Sequence, residues 1–214
     1  MNNLKSRDIY IIGVTGKTAC GKTTVAKMLS KKLERSFVYD IDLEAKNIYK
    51  KNKSVLLKLR EYFGNSIFLD DNNIDFKKLA LIVFNSKIEL EKLNRIMIPL
   101  IDENVKKFVS KLKKENNWDF LIIDAAILFS LDIYNYCNFI ILVKSNIKKR
   151  CKLLMEKNLI NLNEALIRIK GQYIKIKKNN INYIVENTKD LESLENEVDK
   201  VKEIILKDYY AKNS

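Results

Sequence analysis

Short apolar runs alternate with longer helical patterns along this chain, and the alternation predicts the fold. Five runs rich in Val, Ile and Phe have the composition of buried strands, namely Ile9–Val14, Phe37–Asp40, Phe120–Ile123, Phe139–Val143 and Tyr183–Val185. Helical spacing follows the first, fourth and last runs and predicts helices over Lys22–Leu33, Ile147–Glu156 and Leu191–Leu206. We therefore predict an α/β fold with a five-stranded parallel sheet, flanked by helices on both faces and joined by right-handed crossovers.

The segment Leu43–Trp118, between the second and third runs, shows helical spacing and no clear strand. Asp75 is placed to cap one of its helices, and Ser86 to cap the next, with Glu89 at the capping-box position. This block is too long for one crossover helix. We predict a helical subdomain over residues 43–118, inserted beside the carboxyl edge of the sheet, where open α/β sheets bind ligands.

A second helical stretch, Asn161–Lys178, is rich in cations and comes directly before the last strand. This position predicts a mobile lid over residues 151–180. The sheet and its own helices then comprise residues 8–42, 119–150 and 182–208. With 47% hydrophobic residues and one proline, the chain can bury a substantial core without a flexible linker, so residues 1–214 are predicted to form one domain.

The formal net charge of +13 has two possible explanations. Clustered Lys and Arg would bind the phosphate backbone of a nucleic acid. Here the cations run from Lys17 to Lys207, interleaved with acids, in a chain crowded with Ile, Asn and Lys. That distribution favours a solvated basic surface set by codon bias, so we predict no nucleic-acid partner and at most an attraction for polyanionic substrates.

Scarce residue types exclude further functions. The sequence has no histidine, which removes Ser-His-Asp and Cys-His nucleophilic machinery and the commonest zinc ligands. Its three cysteines, Cys20, Cys137 and Cys151, indicate a reducing compartment. Met1–Asp8 lacks the apolar core of a signal peptide, and the apolar run Phe120–Phe129 is too short to span a bilayer. We expect a cytoplasmic protein with no membrane partner, and the sequence leaves its oligomeric state open.

One motif carries specific chemistry. The pattern G-x-x-x-x-G-K-[ST] follows the first predicted strand and opens the first predicted helix, and it is matched by Gly16, Lys17, Thr18, Ala19, Cys20, Gly21, Lys22 and Thr23. Its glycines permit torsions that turn successive N–H groups inward, and the helix presents its positive end. Lys22 could then reach the β and γ phosphates of ATP, and Thr23 could offer its hydroxyl to Mg²⁺. The alternative is a strand-to-helix turn with incidental glycines.

Acidic residues follow two other predicted strands. Asp124 ends the third strand, where a carboxylate can hold Mg²⁺, although an ordinary strand-terminal Asp is the alternative. Asp40 and Asp42 end the second strand at the same edge. One such carboxylate can accept the proton of an acceptor hydroxyl during phosphoryl transfer. Spacing alone favours a different role for Asp42, as the N-cap of a helix that begins at Leu43.

Motifs spread from residue 14 to residue 187 resemble those of one known family. The loop with Thr24, the triplet Asp40-Ile41-Asp42 and the stretch Asp124–Phe129 resemble its P-loop, its D-A-D motif and its D-x-P-L-L-F motif. Its remaining motifs are matched in order by Phe63–Ile67, Ile74–Leu79, Val83–Phe84, Leu93–Ile101, Arg168–Gln172 and Ile184–Asn187. The family is dephospho-CoA kinase, which phosphorylates the ribose 3′-hydroxyl of dephospho-CoA in the last step of CoA synthesis.

The resemblance implies a P-loop kinase fold with a helical substrate-binding insertion and a lid, in agreement with the hydrophobic pattern. It implies ATP and Mg²⁺ as cofactors, dephospho-CoA as the acceptor, and Asp42 and Lys22 as catalytic residues, with Asp42 as the general base. A nucleoside or nucleoside-monophosphate kinase shares the P-loop, sheet and lid and is the alternative. The long insertion favours dephospho-CoA, because it could cover a pantetheine arm.

The resemblance also adds Thr24, Lys157 and Asn187 to the loop residues that bind the nucleotide, and it assigns Thr23 and Asp124 to the metal. Several positions depart from the family pattern. Lys17 and Ala19 stand where the family usually has glycines, and Ile98, Ala126 and Ser130 replace other motif residues. Lys157-Asn158 replaces the R-D of the lid, and an ammonium lacks the bidentate fork of guanidinium, which predicts a weaker or rearranged phosphate clamp. Each lid lysine could instead belong to a solvated helix face.

Overall fold

A parallel sheet forms the centre of the molecule. A computed structural model describes residues 8–70 and 73–213, and within them five strands form the sheet. They are β1 (Tyr10–Thr15), β2 (Ser36–Asp40), β3 (Phe120–Asp124), β4 (Phe139–Lys144) and β5 (Tyr183–Glu186). All neighbours pair in parallel in the order β2-β3-β1-β4-β5, which confirms the predicted fold. Of the polar stretch Met1–Asp8, only Asp8 lies within the described residues.

The register of the central strands brings three strand ends to one edge. Val14 of β1 and Asp40 of β2 are both Cα partners of Asp124, the last residue of β3. Every residue of β1 and β3 is buried, because helices cover both faces of the sheet. Open parallel sheets bind ligands at their carboxyl edge, and here that edge carries the loop after β1 and two acidic side chains.

Eight α-helices surround the sheet in the part of the chain that the structure describes. They are α1 (Lys22–Lys32), α2 (Ile41–Lys51), α3 (Lys53–Phe63), α4 (Phe76–Asn85), α5 (Lys87–Glu115), α6 (Ile147–Asn158), α7 (Leu162–Lys170) and α8 (Leu191–Asn213). Leu29 of α1 and Ile205 of α8 belong to the core on one face of the sheet, with Ile12 of β1. Leu59 of α3 and Ile123 of β3 belong to the core on the other face. None of these helices is long and apolar enough to cross a membrane.

Helices α2 to α5 lie between β2 and β3, and we call them the insertion. Asp75 caps α4 and Ser86 caps α5, each by accepting hydrogen bonds from backbone amides of the first turn, as predicted. The Glu89 carboxylate bonds to Lys92 at 2.7 Å instead of completing a capping box. Helices fill the described part of this block apart from one isolated antiparallel bridge, so its predicted helical character is confirmed.

The segment between β4 and β5 differs from its prediction. We expected helix over Asn161–Lys178, but α7 ends at Lys170 and residues 171–177 are irregular. From Gln172 to Lys177 the residues alternate between partly buried and exposed, which is the period of an extended chain. The sequence carries this signal in the alternation of Ile174 and Ile176 with lysines. We call residues 171–177 the strap.

The strap begins where α7 packs on α4 of the insertion. A Cβ on Gly171 would lie 1.8 Å from the Phe84 carbonyl oxygen, so only glycine fits at this crossing. Further along, the Lys177 ammonium lies 4.2 Å from the ring centre of Tyr134, which follows β3. The strap therefore spans from the insertion to the residues that follow the central strands.

Candidate active site

The loop that joins β1 to α1 has two positions that require glycine. Gly16 has a φ of 149° and Gly21 has a φ of 99°, both in the region that side chains rarely adopt. A Cβ on Gly16 would lie 2.2 Å from the Val143 carbonyl oxygen, and one on Gly21 would lie 2.3 Å from Nδ2 of Asn187. Torsion and close packing both explain these glycines, so they are not incidental to a turn.

The same loop leaves several backbone amides without partners. Within residues 8–70 and 73–213, the N–H groups of Ala19, Gly21 and Thr23 donate to no acceptor, and that of Lys22 faces the Cys20 thiol. Helix α1 also lacks a side-chain N-cap and has no acidic residue in its first turn. Unpaired amides at a helix N-terminus form a site for an anion, because they combine hydrogen-bond donors with the positive end of the helix dipole.

The loop carbonyls, in contrast, are bound by the protein. The Thr18 carbonyl accepts a hydrogen bond from Nε of Arg150 at 2.8 Å, and the Cys20 carbonyl accepts one from Nδ2 of Asn187 at 2.9 Å. The Lys17 carbonyl accepts from the Cys20 amide at 3.2 Å. Holding the carbonyls in this way fixes the peptide planes and keeps the amides available.

Lys22 is a buried cation beside these amides. Its exposed fraction is 7%, and its Nζ lies 3.5 Å from the Lys17 carbonyl oxygen. It makes no ion pair with a carboxylate in the described residues. A buried ammonium without an acidic partner is suited to neutralise a phosphate. Lys17 and Thr24, which were also predicted to bind the nucleotide, are exposed at the two ends of the site.

Asp124 and Thr23 form the second part of the site. Thr23 Oγ1 donates to Asp124 Oδ2 at 2.5 Å, and the buried Oδ1 has no hydrogen-bond partner in the described residues. Burial raises the pKa of the Asp124 carboxyl, partly opposed by the Thr23 hydroxyl and the Lys22 ammonium. A hydroxyl beside a carboxylate oxygen with no donor is a set of ligands that fits Mg²⁺, which takes few protein ligands when phosphates and water complete its shell.

Asp40 and Asp42, at the junction of β2 and α2, have different surroundings. Asp40 is the N-cap of α2, and its Oδ1 accepts a hydrogen bond from the Leu43 amide at 3.0 Å. The alternative in which Asp42 caps the helix is therefore wrong, because α2 begins at Ile41 and Asp42 lies in its first turn. Asp42 is exposed and makes no hydrogen bond within the described residues. Its charge helps to raise the pKa of Asp124, so both acids lie at one edge of the sheet.

Asn187 is placed by β5 directly behind the loop. It is 5% exposed, its Nδ2 donates to the Cys20 carbonyl, and its Oδ1 accepts from Nζ of Lys149 at 2.6 Å. Both polar atoms of the side chain are thus engaged with the protein. The structure therefore brings Asn187 to the predicted site as a residue that holds the loop, through its bond to the Cys20 carbonyl.

Two residues at the loop were missing from our sequence-based site. The Gln172 Oε1 of the strap accepts a hydrogen bond from the Thr18 amide at 2.6 Å. Arg150 in α6 is 4% exposed and donates to the Thr18 carbonyl. The only sequence signal for Gln172 was its place at the end of the family-like motif Arg168–Gln172. Nothing in the sequence distinguished Arg150 from the neighbouring cations of α6.

The structure does not bring Lys157 to the loop. This residue lies near the end of α6, two turns beyond Arg150, where it is exposed. It makes no hydrogen bond or ion pair within the described ranges 8–70 and 73–213. Its role in nucleotide binding stays a prediction.

Comparison with known proteins matches this chain to one family. The family model described as dephospho-CoA kinase matches residues 10–193. A dephospho-CoA kinase from Fusobacterium nucleatum subsp. nucleatum is 39% identical over 201 residues, which cover 92% of this chain and 99% of the relative. One from Lactobacillus johnsonii is 31% identical over 187 residues, covering 87% of this chain and 93% of the relative.

Solved structures agree on the fold. The crystal structure of TT1252 from Thermus thermophilus superposes with a TM-score of 0.67 at 24% identity and covers 91% of this chain and 97% of its own. A dephospho-CoA kinase from Campylobacter jejuni has a TM-score of 0.52 at 24% identity, covering 94% and 98%. The described β-sheet and its flanking helices are therefore those of a P-loop kinase fold.

Ala19 provides a test of the loop conformation. Its φ is 58°, in the left-handed region, at a position where the resembling family usually has glycine. Ala19→Gly should keep the free energy of unfolding within about 1 kcal/mol of the wild type. Ala19→Val should lower it by about 1–3 kcal/mol, because a β-branched residue is strained there, and should weaken nucleotide binding. Urea unfolding measures the stability of each variant, and nucleotide titration measures its affinity. Equal stability and equal affinity of the two variants would contradict a left-handed conformation at Ala19.

Asp124 predicts a dependence of stability on pH. Because its folded-state pKa is raised above 3.8, its contribution to stability is complete below that pH and is lost as pH rises through the raised value. Asp124→Asn keeps an acceptor for Thr23 but cannot ionise. The variant without nucleotide should therefore gain stability relative to the wild type as pH rises. Urea unfolding between about pH 4 and pH 8 measures this difference, and a wild-type advantage that grows with pH would refute it.

Proposed function

The chain belongs to the dephospho-CoA kinase family, and on that premise we propose how its residues carry out the reaction. The γ-phosphoryl group of ATP is transferred to the ribose 3′-hydroxyl of dephospho-CoA, which gives CoA in the last step of its biosynthesis. The loop after β1 binds the phosphates of ATP, and the carboxyl edge of the sheet receives the acceptor hydroxyl.

One observation carries this assignment. The amides of Ala19, Gly21 and Thr23 have no acceptor in the described residues, and the buried Lys22 ammonium lies beside them and forms no ion pair with a described carboxylate. Their unmet hydrogen bonds and charge match the oxygens of a triphosphate. Lys22 neutralises charge on the transferred phosphoryl group, which is the main task of the protein in phosphoryl transfer.

Mg²⁺ would be held by Thr23 and Asp124, and it would supply charge neutralisation to the phosphates. The fit rests on the buried Oδ1 of Asp124, which has no donor among the described residues. Apart from the metal, Asp124 fixes the orientation of the Thr23 hydroxyl at the start of α1.

Asp42 is the general base in this proposal. The oxygen of the acceptor hydroxyl forms a bond to the γ phosphorus, the bond from that phosphorus to the β–γ bridging oxygen breaks, and ADP leaves. The proton of the hydroxyl passes to the Asp42 carboxylate. Support comes from its exposure at the edge that holds Asp124, and from the absence of a competing hydrogen bond in the described residues. Asp40 is unsuited to this role, because its carboxylate caps α2.

The helical block of residues 43–118, which holds most of the insertion, binds the acceptor in this proposal, because Asp42 directly precedes this block in the first turn of α2. A cavity of about 750 Å³ lies elsewhere on the insertion, between α2, α3 and α5. Glu44 and Lys107 line it, but Asp42 does not. Residues 42 and 44 are about 200° apart around a helix, so this cavity opens on another face of α2 and we do not assign it to the reacting ribose.

We assign residues 151–180 to the lid. We place the reaction in the cytoplasm, because three free cysteines suit a reducing compartment. Within this proposal Asn187 positions the loop, and Lys157 reaches the nucleotide only if α6 moves with the lid. The strap bears on the same loop through the bond between Gln172 and the Thr18 amide.

The acceptor is tested by a panel of hydroxyl compounds. Purified protein is incubated with ATP, Mg²⁺ and either dephospho-CoA, a nucleoside or a nucleoside monophosphate, and ADP release is measured. Dephospho-CoA should give the highest kcat/KM, and the product should carry a 3′-phosphate. Faster turnover of a nucleoside or nucleoside monophosphate would overturn the assignment and favour the rival kinase activity.

Asp42→Asn tests the general base. The variant should lower kcat by about 10²–10⁴-fold, because the hydroxyl loses its proton acceptor, while the affinity for ATP stays unchanged. Asp40→Asn is the matched control, since asparagine caps a helix as well as aspartate and the change removes an equal charge from the same edge. Its effect on kcat should be much smaller. Near wild-type turnover in Asp42→Asn, or equal losses in both variants, would reject this role.

A further inference from the structure

Arg150 is a buried guanidinium without an acidic partner. Its exposed fraction is 4%, and within residues 8–70 and 73–213 no carboxylate forms an ion pair with it. Burial lowers its pKa, and the groups that oppose this effect are the nearby thiols of Cys20 and Cys151 rather than a carboxylate. An uncompensated buried charge destabilises a folded protein, so its retention suggests an anion that is absent from the protein itself.

The guanidinium keeps hydrogen-bond donors without an acceptor. Nε donates to the Thr18 carbonyl at 2.8 Å, which holds the side chain against the loop. Nη2 is buried and has no acceptor in the described residues. Native structures rarely leave a charged donor unsatisfied, and such exceptions call for an unseen partner.

A cavity of about 460 Å³ adjoins this group. Arg150 lines it together with Lys17 and Cys20 of the loop, and Ile176 of the strap. Its lining includes one carboxylate, that of Glu186, which already lies 3.6 Å from the Lys144 ammonium. The cavity therefore presents net positive charge next to the amides that bind phosphate.

From these contacts we infer that Arg150 binds a phosphate oxygen of the nucleotide and is the guanidinium of the phosphate clamp in this chain. This inference rests on the proposed function only in taking ATP as the ligand. It gives a physical account of the Lys157 substitution noted in the sequence: the guanidinium is supplied two turns earlier on the same helix. A planar guanidinium can hold the Thr18 carbonyl and a phosphate oxygen at once, which an ammonium cannot do with fixed geometry.

The test compares Arg150→Gln with Lys152→Gln, an exposed neighbour on α6 that removes the same charge. Glutamine can still donate to the Thr18 carbonyl but carries no charge. Calorimetry without any acceptor substrate should show Arg150→Gln weakening ATP binding by about 10- to 100-fold, the range for a hydrogen bond to a charged group. Lys152→Gln should change it less than about twofold. Tripolyphosphate, which has no base or ribose, should lose affinity in the same ratio as ATP.

Thermal unfolding of the nucleotide-free protein separates binding from structure. Arg150→Gln should leave the midpoint unchanged or raise it, because a buried unpaired charge has been removed. A lowered midpoint with unchanged ATP affinity would overturn the inference, as would a loss of ATP affinity without a loss for tripolyphosphate. If Arg150→Gln does not fold, Arg150→Lys serves instead: it should bind ATP several-fold more weakly than wild type, and unchanged affinity would refute the inference. Failure of the acceptor panel would leave these binding results intact.

Discussion

The peptide groups of the loop between β1 and α1 impose the constraint on which the site depends. Their carbonyls must be satisfied by protein if their amides are to stay available for an anion. The Thr18 carbonyl is bound by α6 and the Cys20 carbonyl by the residue after β5. Those partners lie more than 100 residues from the loop in the chain, and the sheet order brings β4 and β5 beside β1. The fold therefore acts on the loop chiefly by holding its carbonyls.

Buried charges at this edge follow the same logic. Asp124 and Arg150 both lie at the site with an atom that has no partner in the described residues, and the Lys22 ammonium forms no ion pair there. Each group destabilises the protein when the site is without ligand. Phosphates and a divalent cation would supply the missing partners together. Such a site lowers the stability of the ligand-free protein, and ligands that bind there should raise the free energy of unfolding.

The sequence allowed the sheet and the loop to be predicted because their signals are local. Strands buried on both faces appear as continuous apolar runs, and the loop has glycine at two of its three positions with positive φ. Arg150 and Gln172 could not be assigned, since their importance comes from contacts with Thr18, which lies far away in the chain. The strap was mistaken for helix because lysines and isoleucines suit either period over a few residues. The glycine at its start packs against the Phe84 carbonyl of α4, a contact that the local sequence does not reveal.

The separation of Asp40 from Asp42 shows how the register of a strand determines which acid remains free. Asp40 is paired with Asp124 in the sheet, which keeps its backbone extended and makes it the N-cap of α2. Ile41, only 1% exposed, then anchors the first helical position in the core. The cap binds one carboxylate to a backbone amide, and the residue two positions later points to a different side of the helix. Had the helix begun two residues later, Asp42 would have been the cap. The chain would then have no free carboxylate at this position to accept a proton.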